Sequence, residues 1–165
     1  VYEALNLDSV VFIPAGDPWQ KRDRDLSPGQ QRLEMVKLAT ENDDRFQVSD
    51  VEIVRSGPTY AVDTVREWKR LNPSDELFWI VGSDALSGIP SWHEWEAFVS
   101  EVTIVAVNRV GQNDAVPFDF VSVDMPEVRI SATELRDRFT NGLDTQYLVP
   151  KNVSQYISDQ GLYQA

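Results

Sequence analysis

No cysteine occurs among the 165 residues. Disulfides and thiolate zinc sites are therefore excluded, and the composition fits a reducing compartment, so a cytoplasmic location is expected. Histidine occurs once, as His93, so a mechanism needing two histidines cannot be carried by these residues alone. Basic residues are scarce: 15 Lys and Arg stand against 27 Asp and Glu, a formal net charge of -12. That balance argues against a general nucleic-acid binder, which needs a basic face. It leaves room for a small phosphorylated ligand held by a few local cations. No apolar run approaches the ~20 residues of a membrane span, and no membrane partner is expected. Val1–Leu7 has neither the basic start nor the long apolar centre of a signal peptide. Low-complexity tracts and internal repeats are also missing.

What is present reads as one domain over residues 1–165, long enough to bury roughly 70% of its unfolded surface. The richest stretch is Leu77–Trp95, LFWIVGSDALSGIPSWHEW. Its first five residues form an apolar run of strand length, as in a parallel strand buried on both faces. The run breaks at Gly82, Ser83 and Asp84, at the carboxyl end of the strand, where ligands bind in open α/β sheets. Glycine there admits a ligand close to the backbone, and aspartate can accept hydrogen bonds from sugar hydroxyls. Ser91 and Glu94 have capping-box spacing and predict a helix starting at Trp92. The stretch thus offers a strand end, a carboxylate, a flat aromatic ring and a helix N-terminus, suited to a small anionic aromatic ligand. The plainer reading is a strand, a turn and a helix burying two tryptophans.

Around it, strands and helices alternate. Val1–Asn6 reads as the tail of a helix starting upstream. Val10–Ile13 is a buried-type strand ending in the loop Pro14–Pro18, and Lys21, Arg22 and Arg24 follow as the densest basic cluster. That cluster is either a solvated loop or an anion-binding loop at a strand end. Ser27, Pro28 and Gln30 mark a helix start with Ser27 as N-cap. Leu33, Met35, Val36, Leu38 and Ala39 supply that helix's apolar face. Phe46–Val54 reads as a strand. Thr59 heads a helix with Val62, Val65, Trp68 and Leu71 on one side, and Asp63 lies in its first turn, favoured by the helix dipole. Capping accounts for Thr59 and Asp63, unless the free N–H groups there meet a ligand carboxylate or phosphate. Thr103–Val107 is a third buried strand, ending at Asn108–Arg109. Gln112–Pro117 is loop, and Phe118–Val123 is a short strand. Ile130–Arg136 opens a helix with Ser131 and Glu134 as a capping box. That helix start, with Arg136, either caps itself or binds a polyphosphate. Lys151–Gln160 is the last helix, opened by Pro150 and ended by Gly161. The pattern predicts an α/β fold: a Rossmann-like parallel sheet with helices on both faces.

Several of these stretches, in this order, resemble one family. VVFIPAGDPWQK at Val10–Lys21, GPTYAVDT at Gly57–Thr64, GSDAL at Gly82–Leu86, WHEW at Trp92–Trp95, ISATELR at Ile130–Arg136 and YLVPKNVSQYI at Tyr147–Ile157 are similar to bacterial nicotinate mononucleotide adenylyltransferases. These belong to the nucleotidyltransferase α/β superfamily, and Trp19–Gln20 is similar to the actinobacterial branch. The resemblance implies transfer of AMP from ATP to nicotinate mononucleotide in NAD synthesis, giving nicotinate adenine dinucleotide and pyrophosphate. The mononucleotide phosphate attacks the α-phosphate directly, assisted by Mg²⁺ carried on the ATP phosphates rather than by a metal site of the protein. It also implies residue roles. Trp92 stacks on the pyridine ring. Backbone N–H groups near Thr59, Tyr60 and His93, with Asp63 beside them, hold the nicotinate carboxylate, and Lys21 meets phosphate. Gly82 and Asp84 contact the adenosine, and Arg109 lies beside the adenine nucleotide. Ser131, Thr133 and Arg136 hold the ATP phosphates, with Lys21 and Arg136 stabilising charge during transfer. ATP and the mononucleotide are the expected partners, and self-association is left open.

One departure stands out. The family's G-G-x-F-D-P-x-H-x-G-H segment, with the two histidines that bind the ATP phosphates, is absent from these residues. Val1 aligns just after its end, and the family's first strand sits inside the sheet. Omitting it would expose two strand edges, so about twenty to thirty residues, one strand-loop-helix unit, are expected to precede Val1. Two other readings stay open: a non-catalytic nucleotide-binding relative, and a sister enzyme that adenylylates phosphopantetheine.

Overall fold

The computed structural model describes residues 1–17, 26–108, 115–126 and 128–164. In chain order the elements are β1 (Val10–Phe12), α1 (Gly29–Thr40), β2 (Phe46–Val48), α2 (Val51–Val54), α3 (Ala61–Leu71), β3 (Phe78–Gly82), α4 (Ser83–Leu86), a 3-10 turn (Ile89–Ser91), α5 (Trp95–Glu101), β4 (Thr103–Asn108), β5 (Phe120–Asp124), α6 (Ala132–Thr140) and α7 (Lys151–Asp159). They fall into two units by contact, Asp8–Ser56 with Val128–Ala165, and Val1–Leu7 with Gly57–Glu127. Each unit has its own parallel sheet.

In the unit built from Asp8–Ser56 and Val128–Ala165, β1 pairs in parallel with β2, Val10 opposite Phe46 and Phe12 opposite Val48. The Phe12 and Phe46 rings meet edge to face at 5.5 Å. Helix α1 connects the two strands and packs against α7, burying Leu33 from one and Val153 and Ile157 from the other. Asn152 Nδ2 ties these helices by donating to Leu38 O and to Glu41 Oε1 at 2.6 Å. Three expectations change here. Helix α1 starts at Gly29 with Pro28 in the cap position and no side-chain cap. The Ser27 hydroxyl instead bonds the Tyr163 hydroxyl. Ala39 is exposed, so Leu33 alone of the expected apolar face is fully buried. The Phe46–Val54 strand stops at Val48, because Asp50 O accepts from Ile53 N at 2.8 Å and Val54 N at 3.0 Å, closing a helical turn.

In the unit built from Val1–Leu7 and Gly57–Glu127, the strand order is β3-β4-β5, all parallel. Central β4 buries Ile104, Val105 and Ala106 in succession. Successive strand residues point to opposite faces, so both faces of β4 are covered. Against it lie Val62 and Val65 of α3, Leu86 of α4, Ile89 and Phe98. Phe98, fully buried, receives Trp79 edge-on at 5.2 Å and Trp92 at a tilt, 5.5 Å away. Strand β3 is not buried on both faces as expected: Val81 is buried, but Ile80 is 37% exposed. It pairs with β4 alone among the described residues. No helix occurs among the described residues of the β4–β5 connection, residues 115–119. Val1–Leu7 forms helical turns closed by Asn6 at φ 50, with Leu7 N donating to Tyr2 O at 3.0 Å. That is a helix-end geometry, as the sequence suggested.

Candidate active site

The first group of candidate residues lies at the carboxyl end of β3. Gly82 ends the strand and Ser83 and Asp84 begin α4. A Cβ on Gly82 would sit 2.5 Å from Asp84 Oδ1. A side chain at this position would have to displace the end of the exposed Asp84 carboxylate, which folds back over the strand end. Ser83 is buried, while Gly82 and Asp84 are exposed.

The second group brings together stretches more than thirty residues apart. Tyr60, in the N-cap position of α3, stacks on His93 with ring centroids 4.2 Å apart and planes at 27°. Trp92 sits half-buried with its ring on Phe98, so one part of its surface serves the core. Its backbone N–H donates to Ile89 O at 2.9 Å. Helix α3 begins at Ala61 with Tyr60 as its cap residue, not Thr59. Asp63 lies in the first turn, 4.0 Å from Arg66.

The expected helix start at Trp92 is corrected. Helix α5 begins at Trp95 and is preceded by Glu94 in the left-handed region, φ 47 and ψ 42. The two members of the expected capping box are used elsewhere. Ser91 Oγ donates to Gly88 O at 2.7 Å. Glu94 Oε2 accepts from Arg66 Nη2 at 2.7 Å, and Oε1 lies 3.3 Å from His93 Nε2. The hydrogen bond from Arg66 holds the Glu94 carboxyl below its ordinary value, and the same contact raises Arg66 above its own.

The third group is on α6, in the other unit. The capping box there forms as expected: Ser131 Oγ accepts from Glu134 N at 3.0 Å. The first turn of a helix leaves N–H groups without intrahelical partners. Thr133 and Arg136 are three residues apart and share a face. The Arg136 guanidinium lies 5.7 Å from the centre of the Tyr163 ring. Tyr163 is itself at φ 57, with its carbonyl accepting from Thr140 Oγ1 at 2.8 Å. Sequence reasoning passed over Arg66, the backbone state of Glu94 and Tyr163. Only the Asp63–Arg66 spacing gave a local hint. Lys21, Arg22, Arg24 and Arg109 lie outside the described residues. Among the described residues, no cluster of three or more His, Cys, Asp or Glu side chains is placed to hold a metal ion, and no helix is long and apolar enough to cross a membrane.

Residues 1–138 match the model of the cytidylyltransferase-like family. Three curated relatives named "Probable nicotinate-nucleotide adenylyltransferase" come from Nocardioides sp., Dehalococcoides mccartyi and Geobacillus thermodenitrificans. They are 43%, 39% and 35% identical over 96%, 99% and 100% of this chain and 81%, 86% and 76% of their own lengths. The chain belongs to the nicotinate-nucleotide adenylyltransferase family. A Mycobacterium avium member at 41% identity adds a further actinobacterial relative. The fold of the family is also recognisable in solved structures. The nicotinic acid mononucleotide adenylyltransferase of Plasmodium falciparum, complexed with NaAD, superposes with a TM-score of 0.74 at 20% identity, over 95% of this chain and 83% of that one. At that identity the match speaks for the parallel α/β fold.

Proposed function

We propose that this adenylyltransferase joins the phosphate of nicotinate mononucleotide to the α-phosphorus of ATP. One P–O bond forms, the bond from the α-phosphorus to the β-phosphate bridge breaks, and pyrophosphate leaves. No covalent enzyme intermediate is needed, so the work of the protein is positioning and charge neutralisation. Nicotinate adenine dinucleotide is the other product.

The observation that carries the reading is the Tyr60–His93 stack. It joins the Gly57–Thr64 and Trp92–Trp95 stretches, the two that family resemblance assigns to the mononucleotide. Trp92 offers the face of its ring to the pyridine, and N–H groups near Thr59, Tyr60 and His93 meet its carboxylate, with Asp63 beside them. Gly82 and Asp84 take the adenosine, Asp84 at the ribose. The first turn of α6, with Ser131, Thr133 and Arg136, takes ATP phosphates, where the helix dipole and a fixed cation both favour an anion. Lys21 and Arg109 complete the phosphate and adenine-nucleotide contacts. Mg²⁺ carried by ATP would add charge neutralisation at the phosphates, alongside the cation of Arg136.

The test is an assay of pyrophosphate release by the full-length protein with ATP and either nicotinate or nicotinamide mononucleotide. Faster turnover of the acid is expected. Equal kcat/KM for acid and amide rejects the carboxylate contacts, and nucleotide binding without any turnover rejects the enzyme.

A further inference from the structure

Arg66 projects from the middle of α3 and meets both ends of α5. Its Nη2 donates to Oε2 of Glu94, just ahead of α5, at 2.7 Å. Its Nε donates to Oε1 of Glu101, the last residue of α5, at 3.4 Å. Its Nη1 is 4.0 Å from Asp63 Oδ1. One guanidinium therefore faces three carboxylates. An exposed ion pair by itself contributes little to stability, so the value of this arrangement must lie in what it holds in place.

Two observations say what that is. Glu94 occupies the left-handed region, at φ 47, a state that is unfavourable for a residue with a side chain. The side chain of this strained residue is the one that Arg66 grips. Helix α3 is thus tied to the turn ahead of α5 at two points: Tyr60 on His93, and Arg66 on Glu94. The second observation is charge. Asp63, Glu94 and Glu101 all place a carboxylate oxygen within 4.0 Å of the Arg66 guanidinium. The ligand assigned to Trp92 and His93 carries a carboxylate of its own. Carboxylates facing one another without a cation between them repel.

We propose that Arg66 is a positioning and specificity-determining residue: it fixes the Trp92–Glu94 turn and offsets the surrounding carboxylates, so that the acid form of the mononucleotide is accepted over the amide. This rests on the function proposed above. An arginine suits the task because its planar fork spans two carboxylates at once and stays charged at every working pH.

The experiment compares kcat/KM for nicotinate and nicotinamide mononucleotides in wild type, Arg66→Ala, Arg66→Lys and the double variant Arg66→Ala/Glu94→Gln. Arg66→Ala is expected to lower the acid-to-amide ratio about tenfold while KM for ATP stays within about twofold. Arg66→Lys keeps a cation near Glu94 and should hold the ratio within about threefold. The double variant removes the charge left uncompensated and should recover part of the ratio. A parallel fall for both mononucleotides, or an unchanged ratio in Arg66→Ala, overturns the proposal, because a purely structural loss has no reason to distinguish acid from amide. A wild-type protein that turns over neither mononucleotide overturns the underlying function; one that turns over both equally rejects the carboxylate contacts but not the function, and either result overturns this inference.

Discussion

Trp92 has two duties at once. Its ring leans on fully buried Phe98, yet the residue is not fully buried, so one part of the indole serves the core and another can meet a ligand. Trp92→Ala is therefore expected to weaken mononucleotide binding by roughly 1–3 kcal/mol, the scale of an aromatic stack. Isothermal titration checks this, and unchanged affinity refutes the platform role. Tyr163 supports a different residue. Its backbone is strained at φ 57, and its hydroxyl and carbonyl are held by Ser27 and Thr140. Its ring lies against the Arg136 guanidinium, a contact on the order of 0.5–1 kcal/mol at an exposed site. Tyr163→Ala should raise KM for ATP, leaving KM for the mononucleotide unchanged. Tyr163→Phe keeps the ring and should behave like wild type. Equal effects of the two substitutions on ATP would show that the hydroxyl, not the ring, supports Arg136.

At the scale of elements, the two Ser-x-x-Glu starts had different outcomes. Ser131–Glu134 forms the cap that its spacing promised, because everything such a cap needs lies within one turn. Ser91–Glu94 does not, because Glu94 is taken by Arg66, 28 residues away in sequence. No local rule reports a competitor at that distance. The same reason explains why β4 was legible and β3 only in part. Apolar runs reveal strands, but how far each is covered depends on its neighbours, and Ile80 of β3 remains 37% exposed. Family motifs nominated Tyr60, Trp92, His93, Asp84 and Arg136, whereas Arg66 and Tyr163 emerge only from tertiary contacts. The junction of α3 and α5 has a testable pH signature. Arg66 depresses the Glu94 carboxyl below its ordinary 4.5. A depressed folded value means that the unfolded chain binds the proton first as pH falls. The contribution of the pair is thus complete above pH 4.5 and is lost as pH drops through the lower folded value. An NMR titration of Glu94 should show a midpoint below 4.5 in wild type, moving up towards it in Arg66→Ala. The same midpoint in both would remove Arg66 as the cause.

Summed over the 165 residues, the formal net charge of -12 sets a problem for an enzyme whose proposed substrates are both anions. The summed field repels them at long range, while groups such as Arg136 attract them at contact. Salt separates these effects, because the Debye length shrinks from about 30 Å at ~0.01 M to about 8 Å at ~0.15 M ionic strength. Over that interval the distant carboxylates drop out first. With Mg²⁺ held in excess of ATP, kcat/KM for ATP should therefore rise as salt is added from the lowest ionic strength. Beyond about 0.15 M the contact cations are screened in turn, and the value should level off and fall. The falling limb should be shallower in Arg136→Ala, which has one contact cation fewer, while the rising limb should persist. A decline that begins at the lowest salt would mean a net attractive field at the site. The local cations would then outweigh the acidic surface at every distance, and the division into long-range repulsion and short-range capture would be wrong.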